Sequence, residues 1–480
     1  MKIHCPNLRS CIGLLLATFL LAGCTTTNSH RPASLKDTYK KYFYVGVAIN
    51  RNMATGTTNQ DDLFARTPEQ NARDIALIKE QFNQIAPEND LKWAVVQPQP
   101  GPDGYNFGPA DAYVDFGLTN KMYLVGHTLV WHNQTPNWVF AGTNPPPASP
   151  GAPAATNASS PSLAASTNAA EANMVETNAA GTNISPPLIA STTNSAETNV
   201  VVTNATGSDL IATNSTGTNA AGRGRFGRGF GRGGFVYNGP RASREELLQR
   251  MHDHIFAVVG RYKGQIKVWD VVNEAVSESG TNVLRKSLWL QIIGPDYIAK
   301  AFEYAHEADP HAILRYNDFG LENPTKRHKF IALIKSLQKQ HVPVMAIGSQ
   351  THVSVSSPGF KQEDQALTEL ETLGLPIHIT ELDVNLARGG QRDTAAEVAD
   401  NAATTQGGLV TDADQRLANQ YSNLFKVFIK HQKYVKIVTF WGVNDAVSWR
   451  ARGKPLLFDA NDQPKPAFDA VMRAATEAQK

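Results

Sequence analysis

The stretch Lys267-Val-Trp-Asp-Val-Val-Asn-Glu274 decides the fold of this 480-residue chain. Its valines and tryptophan suit a strand covered on both faces, so Asn273 and Glu274 fall where that strand stops. A second apolar run, Leu375-Pro-Ile-His-Ile-Thr-Glu-Leu-Asp383, is expected to stop in the same way at Glu381. A parallel barrel could bring these two carboxylates, far apart in sequence, together at one rim as an acid and a nucleophile.

Strand-like runs alternate with helical patterns along most of the remaining chain. The first strand candidate is Tyr44-Val-Gly-Val-Ala-Ile49, and the last of eight is Tyr434-Val-Lys-Ile-Val-Thr-Phe-Trp441. Capping boxes at Thr67-Pro-Glu-Gln70 and Ser243-Arg-Glu-Glu246 predict the starts of two intervening helices. Alternation over this length favours an α/β fold of the (β/α)8 TIM barrel type over an open doubly wound sheet. No glycine-rich phosphate loop follows any strand, which weakens a nucleotide-binding alternative.

The N-terminus is typical of an exported protein. Basic residues precede an apolar run that ends in Leu21-Ala-Gly-Cys24, which resembles a bacterial lipobox. Residues 1–24 are therefore predicted to be a lipoprotein signal peptide, and residues 25–37 a tether. Lipid on Cys24 would anchor the protein at the bacterial cell envelope, at the outer membrane or cell surface. An ordinary secretory signal with an incidental cysteine is the alternative.

Cysteine content and charge exclude several classes of protein. Cys5 and Cys11 would be removed with the signal peptide, which leaves Cys24 as the one cysteine of the mature chain. An intramolecular disulfide and a cysteine-based metal site are then impossible. The formal net charge of +2 gives no reason to expect a nucleic-acid partner.

Residues 141–239 interrupt the alternating pattern after the third strand. Proline, alanine, serine, threonine and asparagine dominate, and too few apolar residues are present to offset the entropy of ordering. The segment is predicted to be a disordered insertion in the third βα loop, between barrel residues 38–140 and 240–478. A short β-helical repeat is the competing interpretation. The insertion closes with an Arg/Gly/Phe tract at 222–235, which we interpret as a solvated linker or a glycan-contacting loop rather than a nucleic-acid binder.

Polar and aromatic residues follow the predicted strands. Because active sites of such barrels lie at the carboxyl ends of the strands, these side chains are candidates for one site. They are Glu88, Asn89, Lys92, His127, Trp131, His132, Asn273, Glu274, Asn317, Gln350, His352, Glu381, Asp383, Trp441, Asn444 and Trp449. Carboxylates and amides bond hydroxyl groups, and indole faces cover pyranose rings, so the set is typical of a sugar site. Two carboxyl groups roughly 5–5.5 Å apart would hydrolyse a glycosidic bond with retention.

Six of these segments together resemble glycoside hydrolase family 10, the endo-1,4-β-xylanases. They are Ile85-Ala-Pro-Glu-Asn-Asp-Leu-Lys-Trp93, His127-Thr-Leu-Val-Trp-His-Asn-Gln134, Trp269-Asp-Val-Val-Asn-Glu274, Gly348-Ser-Gln-Thr-His352, Ile379-Thr-Glu-Leu-Asp383 and Phe440-Trp-Gly442. They occur in family order and span residues from about 35 to 476, apart from the insertion.

The resemblance implies a retaining endo-β-1,4-xylanase that needs neither a cofactor nor a metal. Glu274 would be the general acid/base, Glu381 the nucleophile, and Asn273 would bond the sugar 2-hydroxyl. The glycone subsites would be formed by Glu88, Asn89, Lys92, His127, Trp131, Gln350, Trp441 and Trp449. Xylan or xylo-oligosaccharides would be the substrate, and we expect a monomer.

The remaining site residues would support this pair. His352 would lie beside Glu381 and help to keep it ionised, Asp383 would orient that histidine, and Asn317 would assist. Packing roles for Trp131 and Trp441 remain an alternative, and His132 is expected to be structural.

Phe319 stands where the family commonly has tyrosine, so a hydroxyl contact on the aglycone side is expected to be missing. Two other functions stay open. One is a barrel glycosidase acting on mixed-linkage glucan or cellulose, and the other is a non-catalytic surface lipoprotein that binds glycans. The presence of both carboxylates argues against the second.

Overall fold

A computed structural model describes residues 34–59, 64–142, 237–386 and 411–478. The predicted signal peptide, Cys24 and most of the insertion lie outside these ranges, and so does the part of the tether before residue 34. Across the four described ranges, no helix combines the length and the apolar character needed to span a membrane.

Nine parallel strands are found in the described residues, and eight of them close a barrel. They are β1 (Tyr44–Ile49), β2 (Gln84–Pro87), β3 (Tyr123–Trp131), β4 (Val268–Asn273), β5 (Ile313–Asp318), β6 (Ala346–Ser349), β7 (His352–Ser354), β8 (Ile377–Asn385) and β9 (Val435–Phe440). Each strand from β1 to β6 pairs with the next, β6 pairs with β8, β8 with β9, and β9 with β1. Strand β7 pairs with the end of β8. The predicted (β/α)8 barrel is confirmed.

Helices connect the strands and cover the outside of the barrel. They are α1 (Leu35–Tyr39), α2 (Arg51–Thr55), α3 (Pro68–Gln81), α4 (Trp93–Val96), α5 (Gly108–Thr119), α6 (Asn137–Phe140), α7 (Arg244–Arg261), α8 (Leu288–Ile292), α9 (Tyr297–Ala308), α10 (Pro324–Lys339), α11 (Phe360–Leu370), α12 (Asp412–Lys430) and α13 (Pro466–Glu477). Both predicted capping boxes are present, at Thr67 before α3 and at Ser243 before α7. In each, the cap side chain accepts from the third helical N–H and the third side chain accepts from the cap N–H.

Strand β4 is buried along its whole length, as the sequence predicts for a barrel strand covered on both faces. Its Trp269 belongs to the large apolar core that the helices share with the strands. Its Val268 instead packs with Ala86, Val125 and Ile437 from three other strands in a small separate cluster. The strand is therefore held from both sides, which fixes the position of the residues that follow it.

The prediction that the seventh barrel strand ends at Glu381 is wrong. Strand β8 continues through Glu381 to Asn385 instead of stopping at the glutamate. Its pairing with β9 shifts register twice, first between Ile377 and His378 and again between Ile379 and Leu382, and the second shift spans Glu381. The irregularity places the carboxylate at the barrel mouth, while the last residues of β8 pair with β7.

The barrel also begins earlier than residue 38. Helix α1 is capped by Ser34, and Leu35 and Tyr39 are fully buried. The Tyr39 hydroxyl donates to the carbonyl of Val471 in α13 at 2.6 Å. Residues 34–37, which the sequence analysis assigned to the tether, therefore belong to the packed fold.

The flanks of the insertion meet each other beside α6 and α7. Ala141 and Arg241 form an isolated antiparallel bridge. Gly142 N–H donates to Pro240 O at 2.8 Å, and Ala242 N–H donates to Phe140 O at 2.9 Å. The chain thus leaves and re-enters the described fold at one place, between β3 and α7.

Candidate active site

Glu274 follows β4 directly, and its backbone is in the left-handed region with φ 57°. Its N–H donates to Asn317 O at 2.9 Å, and its carbonyl accepts from Arg285 Nε at 3.1 Å. The carboxylate Oε1 accepts from Gln350 Nε2 at 3.0 Å and from Asn273 Nδ2 at 3.3 Å. Such a conformation persists in a residue other than glycine only when several contacts hold it, as these do.

Glu381 is more deeply buried than Glu274, with 6% of its surface exposed. Its Oε1 accepts from Asn317 Nδ2 at 2.9 Å, and its Oε2 lies 3.2 Å from His352 Nε2. Donors to both oxygens stabilise negative charge on this carboxylate. Glu381 therefore has the surroundings of a nucleophile.

Asn317, at the end of β5, connects the two carboxylates. Besides its bond to Glu381, its Nδ2 donates to Asn273 Oδ1 at 3.0 Å. Thr380 Oγ1 donates to Asn317 Oδ1 at 2.7 Å and so fixes the orientation of the amide. A Cβ on Gly348 in β6 would come within 2.3 Å of Asn317 Oδ1, so this arrangement requires glycine there.

His352 lies between two carboxylates, because its Nδ1 is 2.9 Å from Asp383 Oδ2 on the side away from Glu381. Burial disfavours the imidazolium, but Asp383 and Glu381 outweigh burial and raise the pKa of His352 to about 9. Asp383 is fully buried, which opposes its ionisation. His352 and Arg450, whose Nη1 lies 2.8 Å away, nevertheless lower the pKa of Asp383. At neutral pH His352 is thus a cation that donates to both neighbours.

The raised pKa of His352 predicts a pH-dependent contribution to stability. Because the folded pKa of about 9 exceeds the unfolded value of about 6.5, the stabilisation is complete below pH 6.5 and lost as pH rises through 9. The Tm difference between the native chain and His352→Gln should therefore be largest near about pH 6 and smallest above about pH 9. The control is His311→Gln, whose side chain is 91% exposed. A difference for His352→Gln that stays constant across this range would contradict the assignment.

The β2 end of the rim places a buried lysine beside both catalytic candidates. Lys92 Nζ donates to Asn89 Oδ1 at 3.0 Å and lies 5.0 Å from the ring centroid of Trp131. Burial lowers the pKa of Lys92 to about 8, and the carboxylates of Glu381, Glu88 and the acid/base candidate partly oppose this shift. Lys92, one of the residues predicted to follow β2 at the rim, therefore lies beside Glu274 and Glu381.

His127 is oriented by a buried ionic network that sequence analysis missed. Its Nδ1 lies 2.9 Å from Asp270 Oδ2, and Arg315 donates to both Asp270 oxygens at 2.6 and 2.9 Å. Burial opposes ionisation of Asp270, but Arg315 and His127 outweigh it and lower its pKa to about 2. Arg315 Nη1 also lies 3.0 Å from His378 Nδ1. The sequence did contain a signal for this network: Asp270 and Arg315 are charged residues in strands covered on both faces, and charged residues in such strands need partners.

The tryptophans differ in their surroundings. Trp449 is 55% exposed, and its indole N–H donates to Asp383 Oδ2 at 2.9 Å. Trp441 is half-buried and lies edge-on to His127, with ring centroids 5.4 Å apart. An exposed indole fixed by a buried carboxylate is suited to stacking on a sugar ring.

Two further rim candidates are His132 and Asn444. Burial lowers the pKa of His132 to about 3, which keeps it neutral, and its ring packs against Trp131. Asn444 is fully buried, and its Nδ2 donates to Asp74 and Asp462 at 2.7 and 2.6 Å. Both arrangements fit structural roles.

Phe319, which follows β5, lies beside two cations. Lys326 Nζ is 3.4 Å from its ring centroid, and the Arg285 guanidinium is 6.0 Å away. Lys326 also pairs with Asp318 at 2.7 Å. The expected loss of an aglycone contact at Phe319 stays a prediction.

The fold and site together define a class of protein. A parallel barrel carries two carboxylates at its mouth, and each accepts a hydrogen bond from at least one amide side chain of the same rim. This is the arrangement of a glycoside hydrolase that works with a carboxyl pair.

Comparison with known proteins defines the class further. The sequence profile of glycosyl hydrolase family 10 matches residues 34–151 and 234–474. A β-1,4-xylanase of Dictyoglomus thermophilum is 31% identical over 447 residues, which cover 92% of this chain and 90% of that protein. Endo-1,4-β-xylanase A of Caldicellulosiruptor sp. is 34% identical over 436 residues, which cover 91% of this chain and 46% of that protein. The structure of a GH10 endoxylanase that was retrieved from a sugarcane soil metagenome superposes with a TM-score of 0.65 at 30% identity. The match covers 92% of this chain and 99% of that one. The chain belongs to glycosyl hydrolase family 10.

Proposed function

We propose that Glu274 is the general acid/base and Glu381 the nucleophile of this retaining endo-1,4-β-xylanase. The observation that carries the assignment is the difference between their hydrogen-bond partners. Glu381 accepts from a cationic histidine and an amide, whereas Glu274 Oε1 accepts from two neutral amides. The first environment favours a permanent carboxylate, and the second suits a group that gains and loses a proton.

The reaction then proceeds in two steps. In the first, a carboxylate oxygen of Glu381 attacks the anomeric carbon, the bond to the leaving sugar oxygen breaks, and Glu274 gives that oxygen its proton. In the second, water attacks the same carbon, Glu274 takes a proton from it, and the ester bond to Glu381 breaks. Two inversions leave the product with the β configuration of the substrate.

Xylan is the proposed substrate because relatives that align over nearly the whole barrel are xylanases. The exposed Trp449 beside Asp383 and His352 is a candidate for the wall that leaves no room for a C6 hydroxymethyl group. We expect kcat/KM on xylan to exceed that on carboxymethyl-cellulose by about 100-fold. Equal rates on the two polymers would instead favour the glucanase alternative.

We also propose that the chain is exported and anchored through lipid on Cys24, because residues 1–24 have the pattern of a lipoprotein signal. Globomycin, which blocks lipoprotein signal cleavage, should make the precursor accumulate in the producing cell. A Cys24→Ser variant is the control, because its precursor should not respond to the drug. Normal processing of the native chain in the presence of globomycin would refute the anchor.

Residues 141–239 have the composition of a low-complexity insertion, and the proposed reaction uses residues of the barrel alone. We also propose that the enzyme acts as a monomer. Neither nucleic acid nor a cofactor has a place in the proposed reaction.

A further inference from the structure

Thr351 joins the two residues that contact the catalytic carboxylates. On one side of it, Gln350 donates to Glu274, and on the other, His352 contacts Glu381. Thr351 is fully buried and has a left-handed backbone, with φ 56°. This conformation is strained for a β-branched residue, so the surrounding structure must hold it.

The Thr351 side chain has three acceptors within reach. Its Oγ1 lies 3.3 Å from Ser349 O, 3.2 Å from Ser349 Oγ and 3.3 Å from Glu363 Oε1. The first two acceptors belong to the same segment as Thr351. Glu363 lies in the first turn of α11, so it is the acceptor that ties this segment to the outer helical layer.

Glu363 is itself fully buried and lies within hydrogen-bonding range of a second buried carboxyl group, Glu322. Within the described residues, no donor reaches Glu322 Oε1 or Glu363 Oε2. Two adjacent carboxyl groups, each with an unpartnered oxygen, are satisfied if one proton lies between them. A pair of bare carboxylates would instead repel each other in a region with little solvent.

The cations around the pair are already engaged. Arg327 forms two bonds with Glu369, at 2.7 and 2.9 Å. Lys326 pairs with Asp318, and His352 lies between its own two carboxylates. Burial raises the pKa of both Glu322 and Glu363, and these cations oppose the shift only in part. Burial and the closeness of the two carboxyl groups thus favour retention of a proton by the pair.

We propose that Glu322 and Glu363 share one proton and act as a positioning pair for catalysis. Through Thr351 they hold Gln350 and His352 against the two catalytic glutamates. Neither member of the pair touches the substrate in this proposal. The inference rests on the proposed roles of the catalytic glutamates, but its test does not depend on which of them is the nucleophile.

The contrast between two replacements of Glu363 tests the shared proton. In Glu363→Gln, the amide can donate to Glu322 while its oxygen accepts from Thr351, as a protonated carboxyl group does. This variant should keep kcat on xylan within about threefold of the native value. Glu363→Leu has neither donor nor acceptor and leaves Glu322 unpartnered, so kcat should fall about 10- to 100-fold with a much smaller change in KM.

Thr351→Val separates positioning from stability. It keeps the shape of the side chain and leaves the carboxyl pair intact, but it removes the bond to Glu363. Its kcat should fall about tenfold while its Tm changes little. The matched control is Asp74→Asn, which disturbs a buried carboxylate paired with Arg66 and should lower Tm without lowering kcat.

Three results would overturn the proposal. Equal kcat losses in Glu363→Gln and Glu363→Leu would show that no shared proton is needed. Native kcat in Glu363→Leu or Thr351→Val would show that the pair does not position the site. If kcat fell together with Tm in Asp74→Asn and in the Glu363 and Thr351 variants alike, the losses of kcat would be explained by lower stability alone. The proposed roles of the catalytic glutamates fail separately, through substitutions at those positions.

Discussion

Glu381→Ala is expected to abolish xylan hydrolysis, with kcat lowered by about 10⁴-fold or more. Without this carboxylate no covalent intermediate can form, and the cationic His352 loses one of its two partners. Added azide should partly restore turnover of an aryl β-xylobioside with a good leaving group, because the small anion can occupy the vacated space. The product should be the α-xylobiosyl azide, since a single displacement inverts the anomeric carbon.

The matched control is Glu303→Ala, which removes an exposed glutamate of α9 that pairs with Lys300. Its kcat should be native and indifferent to azide. Substantial xylan hydrolysis by Glu381→Ala without azide would refute the assignment of the nucleophile.

Glu274→Ala is expected to have an effect that depends on the leaving group. Loss of the general acid should lower kcat/KM on xylan by about 10²- to 10⁴-fold, because the sugar leaving group needs a proton. A dinitrophenyl β-xylobioside needs none, so it should still form the glycosyl-enzyme in a rapid burst followed by slow turnover. Azide should accelerate the second step and give the β-xylobiosyl azide with retained configuration.

The two alanine variants thus predict opposite anomers from the same substrate and nucleophile. Proton NMR of the azide products distinguishes them through the coupling constant of the anomeric proton. The same anomer from both variants, or an equal loss on xylan and on the dinitrophenyl substrate for Glu274→Ala, would contradict the division of roles.

Local sequence signals were sufficient for the elements that depend on local physics. The apolar stretch that becomes β4 predicted a buried strand, and the capping boxes at Thr67 and Ser243 predicted two helix starts. Position after the predicted strands supplied the candidate residues, and the resemblance of six segments to one family supplied their expected roles. The structure brings several of these residues into contact with Glu274 or Glu381.

Features that depend on pairing between distant strands could not be predicted in the same way. The register shift that places Glu381 within β8 depends on how β8 meets β9. The bond between Asp270 and Arg315 depends on the register of β4 with β5. The left-handed backbone of Thr351 runs against its own side-chain preference, so only the tertiary contacts around it account for it.

The identity of the nucleophile can be read directly by trapping the intermediate. A 2-deoxy-2-fluoro-β-xylobioside with a dinitrophenyl leaving group should inactivate the enzyme by forming a stable glycosyl ester. Fluorine slows both steps, but the good leaving group keeps the first step fast enough for the ester to accumulate. Proteolysis and tandem mass spectrometry then locate the added mass. We predict a single adduct on the carboxyl group of Glu381, and an adduct on Glu274 or on any other residue would contradict the proposed mechanism.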